Sequence, residues 1–181
     1  MDSDHSGTID VSYPNKFMID SLKIQSLAKL IFQHLHITEY ELHLEFVDQP
    51  EMIKLNKEFR QKEKSTDVLS FPQQEWEQPI RVKTIAEDVK TPDQNLPPKA
   101  LGDIVISIPD AAANAANIGQ SVDREICFLL IHGILHLCGH DHMDPEQEQL
   151  MLSEQKTLMD IIQDSTPPPY PWENCIRGLN S

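Results

Sequence analysis

Four histidines fall within eleven residues, His132-Gly133-Ile134-Leu135-His136-Leu137-Cys138-Gly139-His140-Asp141-His142. The apolar run Ile126 to Cys138 reads as a core helix. His132 and His136 are four apart, so their imidazoles sit one turn above each other on one helix face. Gly139 stands where such a helix stops, because glycine takes the left-handed conformation that ends helices, and the chain can then turn back to deliver His142 as a third ligand. Three neutral imidazoles without a fourth protein ligand describe a catalytic metal site rather than a structural one, since a structural zinc site is closed by four protein ligands. The position left over accepts water, whose pKa the metal can lower to about 7. The fold must therefore hold a helix end and the turn after it in fixed register.

Two histidines four apart, a glycine three further on and a last histidine three after that is the spacing of the metzincin proteases, H-E-x-x-H-x-x-G-x-x-H. The Glu after the first His is the general base for peptide hydrolysis in those enzymes, and here the position is Gly133, with no group to take a proton. This departure argues against a protease of that type. Cys138 lies between the ligand positions and off their face, and reads as a small buried hydrophobe.

Residues 1–8 are polar and are expected to be a flexible N-terminus. Ile9 to Tyr13 alternate as a first strand, and Ile24, Leu27, Ala28, Ile31 and Leu35 set an amphipathic helix over about 20–36. Tyr40, Leu42, Leu44 and Phe46 alternate with Glu41, His43 and Glu45, which gives a half-buried strand with His43 on its polar side. Asp48, Pro50 and Glu51 start a second helix whose stripe is Met52, Leu55 and Phe59 and whose last residue is Arg60. Two short strands follow, Val68 to Phe71 and Ile104 to Ser107, with Asp67 and Asp103 at their starts, read as caps or braces. The polar stretch 73–99 between them is a long loop insertion, in which Ile80 to Ile85 can add an edge hairpin. Pro109 to Ile118 is an alanine-rich helix closed by Gly119, and Val122 to Cys138 is the long helix. Asp144-Pro145 begins a last helix using Leu150, Met151, Leu158 and Ile161. Residues 165–181, with Thr166-Pro167-Pro168-Pro169-Tyr170-Pro171-Trp172, read as an extended proline-rich tail whose Tyr and Trp can dock on the domain or on a partner. Its removal is expected to leave the domain folded.

A chain of 181 residues, 39% hydrophobic, can bury roughly 70% of its unfolded surface. One domain, 9–164, is expected. Three cysteines, Cys127, Cys138 and Cys175, make no Cys-x-x-Cys pair, so a disulfide framework is not expected and a reducing, cytoplasmic setting is. The acidic start, Met1-Asp2-Ser3-Asp4-His5, leads into no apolar leader, and the least polar run is too short to span a bilayer. Net charge is −14, which disfavours general affinity for nucleic acid and gives no expectation of DNA binding. Yet five of the 15 basic residues lie between Lys54 and Lys64. Beside a hydrolytic metal, such a cluster can hold one or two phosphates.

The histidine segment, His132-Gly-x-Leu-His-Leu-x-Gly-His-Asp-His142, resembles the signature of the YbeY endoribonucleases, bacterial rRNA maturation factors. Thr66-Asp67-Val68-Leu69-Ser70-Phe71-Pro72 and Leu101-Gly102-Asp103-Ile104-Val105-Ile106-Ser107 resemble that family's central strands, and Leu55-Asn56-Lys57-Glu58-Phe59-Arg60 its Asn-x-x-[Tyr/Phe]-Arg element. The resemblance covers about 10–163. The departures are the longer 73–99, the tail after Asp164, and His140 where many members have Tyr.

The resemblance implies an α+β, zincin-like single domain with a mixed sheet of about four strands packed with helices and a metal site at the end of a long core helix. It implies one zinc per chain, or nickel or another divalent metal, on His132, His136 and His142. Arg60 and His132 are the implied catalytic residues, with Asp141 and His140 orienting a ligand or moving protons. Lys57, Arg60, Lys62 and Lys64 are candidate contacts to RNA phosphates. The implied activity is single-strand-specific RNA cleavage in rRNA processing, at the 16S 3′ end, and in ribosome quality control. The implied partners are rRNA, the small ribosomal subunit and its assembly factors. Two other readings stay open, a metzincin-like protease and a ribosome assembly factor without turnover. A protease requires a carboxylate in reach of the metal and a free strand edge.

Overall fold

A computed structural model describes residues 7–82, 99–165 and 167–178. Strand β1 (Thr8–Ser12) is followed by the short β2 (Met18–Ile19), helix α1 (Ser21–His34), β3 (Tyr40–Val47) and α2 (Gln49–Arg60). Next come β4 (Val68–Pro72), β5 (Lys99–Ser107), α3 (Ile108–Ile118), α4 (Val122–Leu137), α5 (Pro145–Ser165) and β6 (Ile176–Arg177). Four strands form one mixed sheet in the order β1-β3-β5-β4, with β4 the antiparallel member. This is the α+β architecture expected from the sequence. No helix of the described residues is long and apolar enough to cross a membrane.

The helices start where side chains can take up orphan backbone N–H groups. Asp20 accepts from Lys23 N, Asp48 from Glu51 N, and Ser121 from Arg124 N, each the usual N-cap contact. Helix α4 packs on β4 and β5 and against α1, α3 and α5. Ten of its sixteen residues are buried, among them Ile126, Leu130, Ile131 and Ile134. On the other sheet face, α2 lays Met52 against Val47, Leu69 and Val105. Strand β5 begins five residues before Ile104, so Asp103 lies inside it, paired with Phe71 and His43, rather than at its start. Asp67 does brace a strand end. Its carboxylate accepts from Val68 N at 2.8 Å and from Asn114 at 3.0 Å.

Of the long insertion, the described part 73–82 forms no strand; instead it folds over the end of α4. Trp76 Nε1 donates to the Leu137 carbonyl at 2.8 Å and Ile80 N to Cys138 O at 3.0 Å. Val82 N and Arg81 then donate to the buried carboxylate of Glu154 on α5. The rest of the expected hairpin, 83–85, lies outside the described residues, as do 1–6 of the N-terminus.

The C-terminal segment corrects the expectation of a dispensable extended tail. Trp172 is 3% exposed and Cys175 is fully buried, both within the main core. Asp123, in the first turn of α4, accepts from Asn174 N and Ile176 N at 2.9 Å each. Cys175 O accepts from Asp20 N, and Ile176 pairs with Ile19 across β2 and β6. Proline blocks helix and inner strand, as the composition required, but within six residues of the last proline the chain supplies core side chains and ladder bonds. Truncation at Ser165 is therefore expected to abolish cooperative unfolding in urea. Trp172→Ala, which leaves the backbone bonds in place, should cost about 3 to 5 kcal/mol, the usual cost of emptying a buried tryptophan site.

Candidate metal centre

Helix α4 is buried almost all round. After Val122 and Asp123 at its start, the residues it leaves partly exposed are Arg124, Phe128, His132 and His136, four apart each time and so a single stripe. The histidines occupy its C-terminal half. Cys138 ends the helix and Gly139 follows at φ +97°. Gly139 N donates to His136 O at 3.2 Å and His140 N to Leu135 O at 3.0 Å, the paired bonds of a Schellman turn. A side chain at 139 would also meet Trp76, whose Cβ lies 3.0 Å from the place a Cβ would take. Glycine is needed there on both counts, and the turn it makes brings His142 back to the helix end.

The His132 and His136 rings are edge to face with centroids 4.7 Å apart, and His136 and His142 are 5.1 Å apart in the same manner. Ligand atoms of His136, His142 and Asp141 lie within 4.8 Å of one another. His136 is common to both groupings: His142 and Asp141 share its ligand group, while His132 meets it by ring contact and is not among the three whose ligand atoms converge. Asp141 Oδ1 also accepts from His142 N at 2.7 Å, which fixes the carboxylate to the turn. The sequence expectation for Asp141 was to orient a ligand; its position makes it a candidate oxygen ligand as well.

The donor chemistry fits a divalent metal. Burial pushes His132 down to about 4, helped by the charges of His142 and Arg60. Burial likewise pushes His136 down to about 4, helped by His132 and His142 and partly opposed by a hydrogen bond to the His140 backbone and by Asp141. Both imidazoles are thus neutral at pH 7 and carry the lone pair a metal needs. The buried Gln155 amide of α5 lies 2.6 Å from His132 Nδ1. The atom facing Nδ1 is the amide nitrogen Nε2, and this contact fixes the orientation of the His132 ring.

Gly133 sits on the opposite side of the helix from solvent. A Cβ there would be 2.9 Å from two side-chain atoms of Ile104 on β5. The position has neither a carboxylate nor room for one. Cys138 is fully buried, with its thiol pushed up to about 12 by burial, and is the inert hydrophobe expected.

Arg60 is exposed at the last turn of α2, and its charge reaches His132. After it, Gln61 turns left-handed at φ 58°, and buried Asn56 holds the returning chain by donating to Lys64 O at 2.8 Å. Lys57, Lys62 and Lys64 are exposed, and Lys57 pairs with Glu63 at 3.1 Å. His140 is not with the other histidines. It is 3% exposed, and its Nε2 lies 2.6 Å from the carbonyl of Ile80. That makes it a brace between the turn and the segment 73–82 rather than a proton carrier at the site.

Sequence reasoning missed Gln155. A signal was present, because Met151, Gln155, Leu158 and Ile162 follow at spacings of four, three and four, a polar residue on an otherwise apolar stripe.

The family profile described as "Endoribonuclease YbeY" matches residues 11–163. The chain is 35% identical over 154 residues to the Endoribonuclease YbeY of Arthrobacter sp. (strain FB24), covering 84% of this chain and 91% of that one. It is 36% identical over 143 residues to the Endoribonuclease YbeY of Listeria welshimeri, covering 78% and 85%. The solution structure of TM1509 from Thermotoga maritima superposes with a TM-score of 0.56 at 25% identity, covering 84% and 87%. A zincin-like α+β domain with a histidine centre at a helix end is the class that fold and site define. The chain belongs to the YbeY endoribonuclease family.

Two measurements probe this geometry. His132 and His136 are held below their ordinary 6.5, so the unfolded chain binds more protons than the folded one between pH 6.5 and about 4. Chelator-treated protein should therefore lose thermal stability as pH falls through that window, and replacing both histidines by Gln should flatten the slope. Metal stoichiometry in His132→Ala and Asp141→Asn separates the two ligand sets. Loss in the first with retention in the second is expected.

Proposed function

We propose that this chain is a metal-dependent endoribonuclease that cuts single-stranded RNA, and that its work is rRNA processing at the 16S 3′ end and ribosome quality control in the cytoplasm. The observation that carries the reading is a histidine centre close enough for the Arg60 charge to act on His132, in which position 133 has no side chain and no space for one. A peptide hydrolase of the metzincin type takes its base from the residue after the first histidine, and that position carries no carboxylate here. A phosphodiesterase needs a cation where charge builds on phosphorus, and Arg60 is that cation.

His132, His136 and His142 would hold one divalent ion, zinc or nickel, and Asp141 braces His142 through its backbone. When bound, that ion supplies Lewis acidity to a phosphoryl oxygen. Gln155 keeps the His132 ring from rotating. Arg60 grips a non-bridging oxygen, with a planar fork that matches phosphate, and neutralises the charge that grows as the phosphorane forms. Lys57, Lys62 and Lys64 lie beyond it on exposed chain, suited to phosphates farther along the strand and to a ribosomal RNA partner. The large negative net charge keeps this affinity local.

Two variants test the assignment. His136→Ala should lose the metal and melt at lower temperature, because the ligands tie the end of α4 to the turn after it. Arg60→Ala should keep the metal, since guanidinium does not bind it, and lose cleavage of single-stranded RNA by about 10² to 10³, the usual loss on removing one positioned charge-stabilising group. A chelated sample and an unstructured peptide serve as controls. Metal-dependent peptide cleavage without RNA cleavage would replace this reading with the protease. Binding to small ribosomal subunits with neither cleavage would replace it with the assembly factor.

A further inference from the structure

The exposed stripe of α4 does not end at the histidines. One turn before His132 it continues as Phe128, about 6 Å along the axis, and one turn earlier as Arg124. Here it forms the floor of a cavity of about 740 Å³ between α3, α4 and α5, within the range of small-ligand sites. Gln155 lines this cavity and also touches His132, so the cavity and the metal centre share a wall.

The lining has three characters. Its lips carry Ile118 and Leu152, 67% and 56% exposed, on facing helices. Phe128 and Met159 add apolar surface within. Three of the polar groups, Asp67, Glu125 and Asp160, are carboxylates, which when ionised only accept. Asp67 takes hydrogen bonds from Val68 N and Asn114, and Glu125 takes them from Asn114 and Gln120. A carboxylate has about four lone-pair sites, so each retains acceptor capacity. The cations present are engaged already. Lys156 pairs with Asp160 at 2.7 Å, and Arg124 donates to Gln120 at 2.7 Å and Gln163 at 3.3 Å.

These features select the occupant. Three carboxylates, Asp67, Glu125 and Asp160, against two engaged cations repel phosphate. A flat, uncharged heterocycle fits, gripped on its faces by apolar side chains and with N–H groups on its edge. We propose that this cavity is a base-binding subsite that takes one nucleobase of the RNA, next to the phosphate held at the histidines, and that it prefers guanine. The proposal rests on the ribonuclease reading above. Guanine presents a ring N–H and an amino group side by side, the pair that meets a carboxylate with two hydrogen bonds, whereas adenine and cytosine offer one amino group and uracil one ring N–H. The expected consequence is cutting at a fixed offset from a guanine.

Two experiments on the full chain test it. In the first, guanosine and uridine are titrated while the Ile118, Leu152 and Phe128 resonances are followed by NMR. Guanosine is expected to shift all three and to bind about tenfold more tightly than uridine, the low end of what a two-bond base contact discriminates. In the second, a randomised single-stranded RNA is cut and its ends sequenced. Guanine is expected to be enriched about tenfold at one position beside the cut, and Ile118→Ser with Leu152→Ser, both exposed and so compatible with folding, should flatten the enrichment with metal content unchanged. Guanosine that leaves those resonances unmoved, or an enrichment that survives in the double variant, overturns the subsite. If the protein cuts no RNA, the ribonuclease reading fails, and the nucleoside titration still decides whether the cavity binds a base.

Discussion

The close approach of α4 to the sheet is the contact on which the rest of the molecule depends. Gly133 lets the helix lie directly on Ile104 of β5, with no methyl between them. That depth buries ten of its residues, leaves one narrow stripe in contact with solvent, and places His132 and His136 on it. The residue that removes the protease base is thus the same one that seats the helix. Chemistry and packing at position 133 have a single cause.

Around that helix the protein places bonds at the end where order is needed. The last carbonyls of α4 are taken by the glycine turn, by Trp76 and by Ile80 N. His140 closes the same junction from the other side. The ligand turn is therefore braced before any metal arrives, which lowers the ordering cost of binding one. Gln155 does for a single ring what the turn does for the backbone.

Local patterns in the sequence were sufficient for the elements and for the histidine group. The 3.6-residue stripes of α1, α2 and α5, the alternation in β3, the caps Asp20, Asp48 and Ser121 and the glycine at 139 each act over a few residues. What escaped depends on contacts between distant segments. Lys99 to Asp103 have no strand pattern of their own and become strand because β3 and β4 flank them. Trp172 and Cys175 sit after a run of prolines whose composition says extended, and only the Asp123 carboxylate and the Ile19 pairing decide that the segment turns inward. Similarly, His140 reads as one more histidine in a metal motif until Ile80, sixty residues earlier, supplies its partner. Asp141 and Gln155 are visible as polar residues near or on an apolar face, but their distance to the histidines is tertiary information.

The pairing of Met18 and Ile19 with Ile176 and Arg177 joins segments almost the whole described chain apart. Such a contact forms late, because the intervening chain must already be ordered for its ends to meet cheaply. During synthesis, the start of α4 waits for residues 174 and 176 to satisfy Asp123. A nascent chain that has made all its histidines is still without this clasp at the far end of α4, which closes only when residues 174 and 176 have left the ribosome.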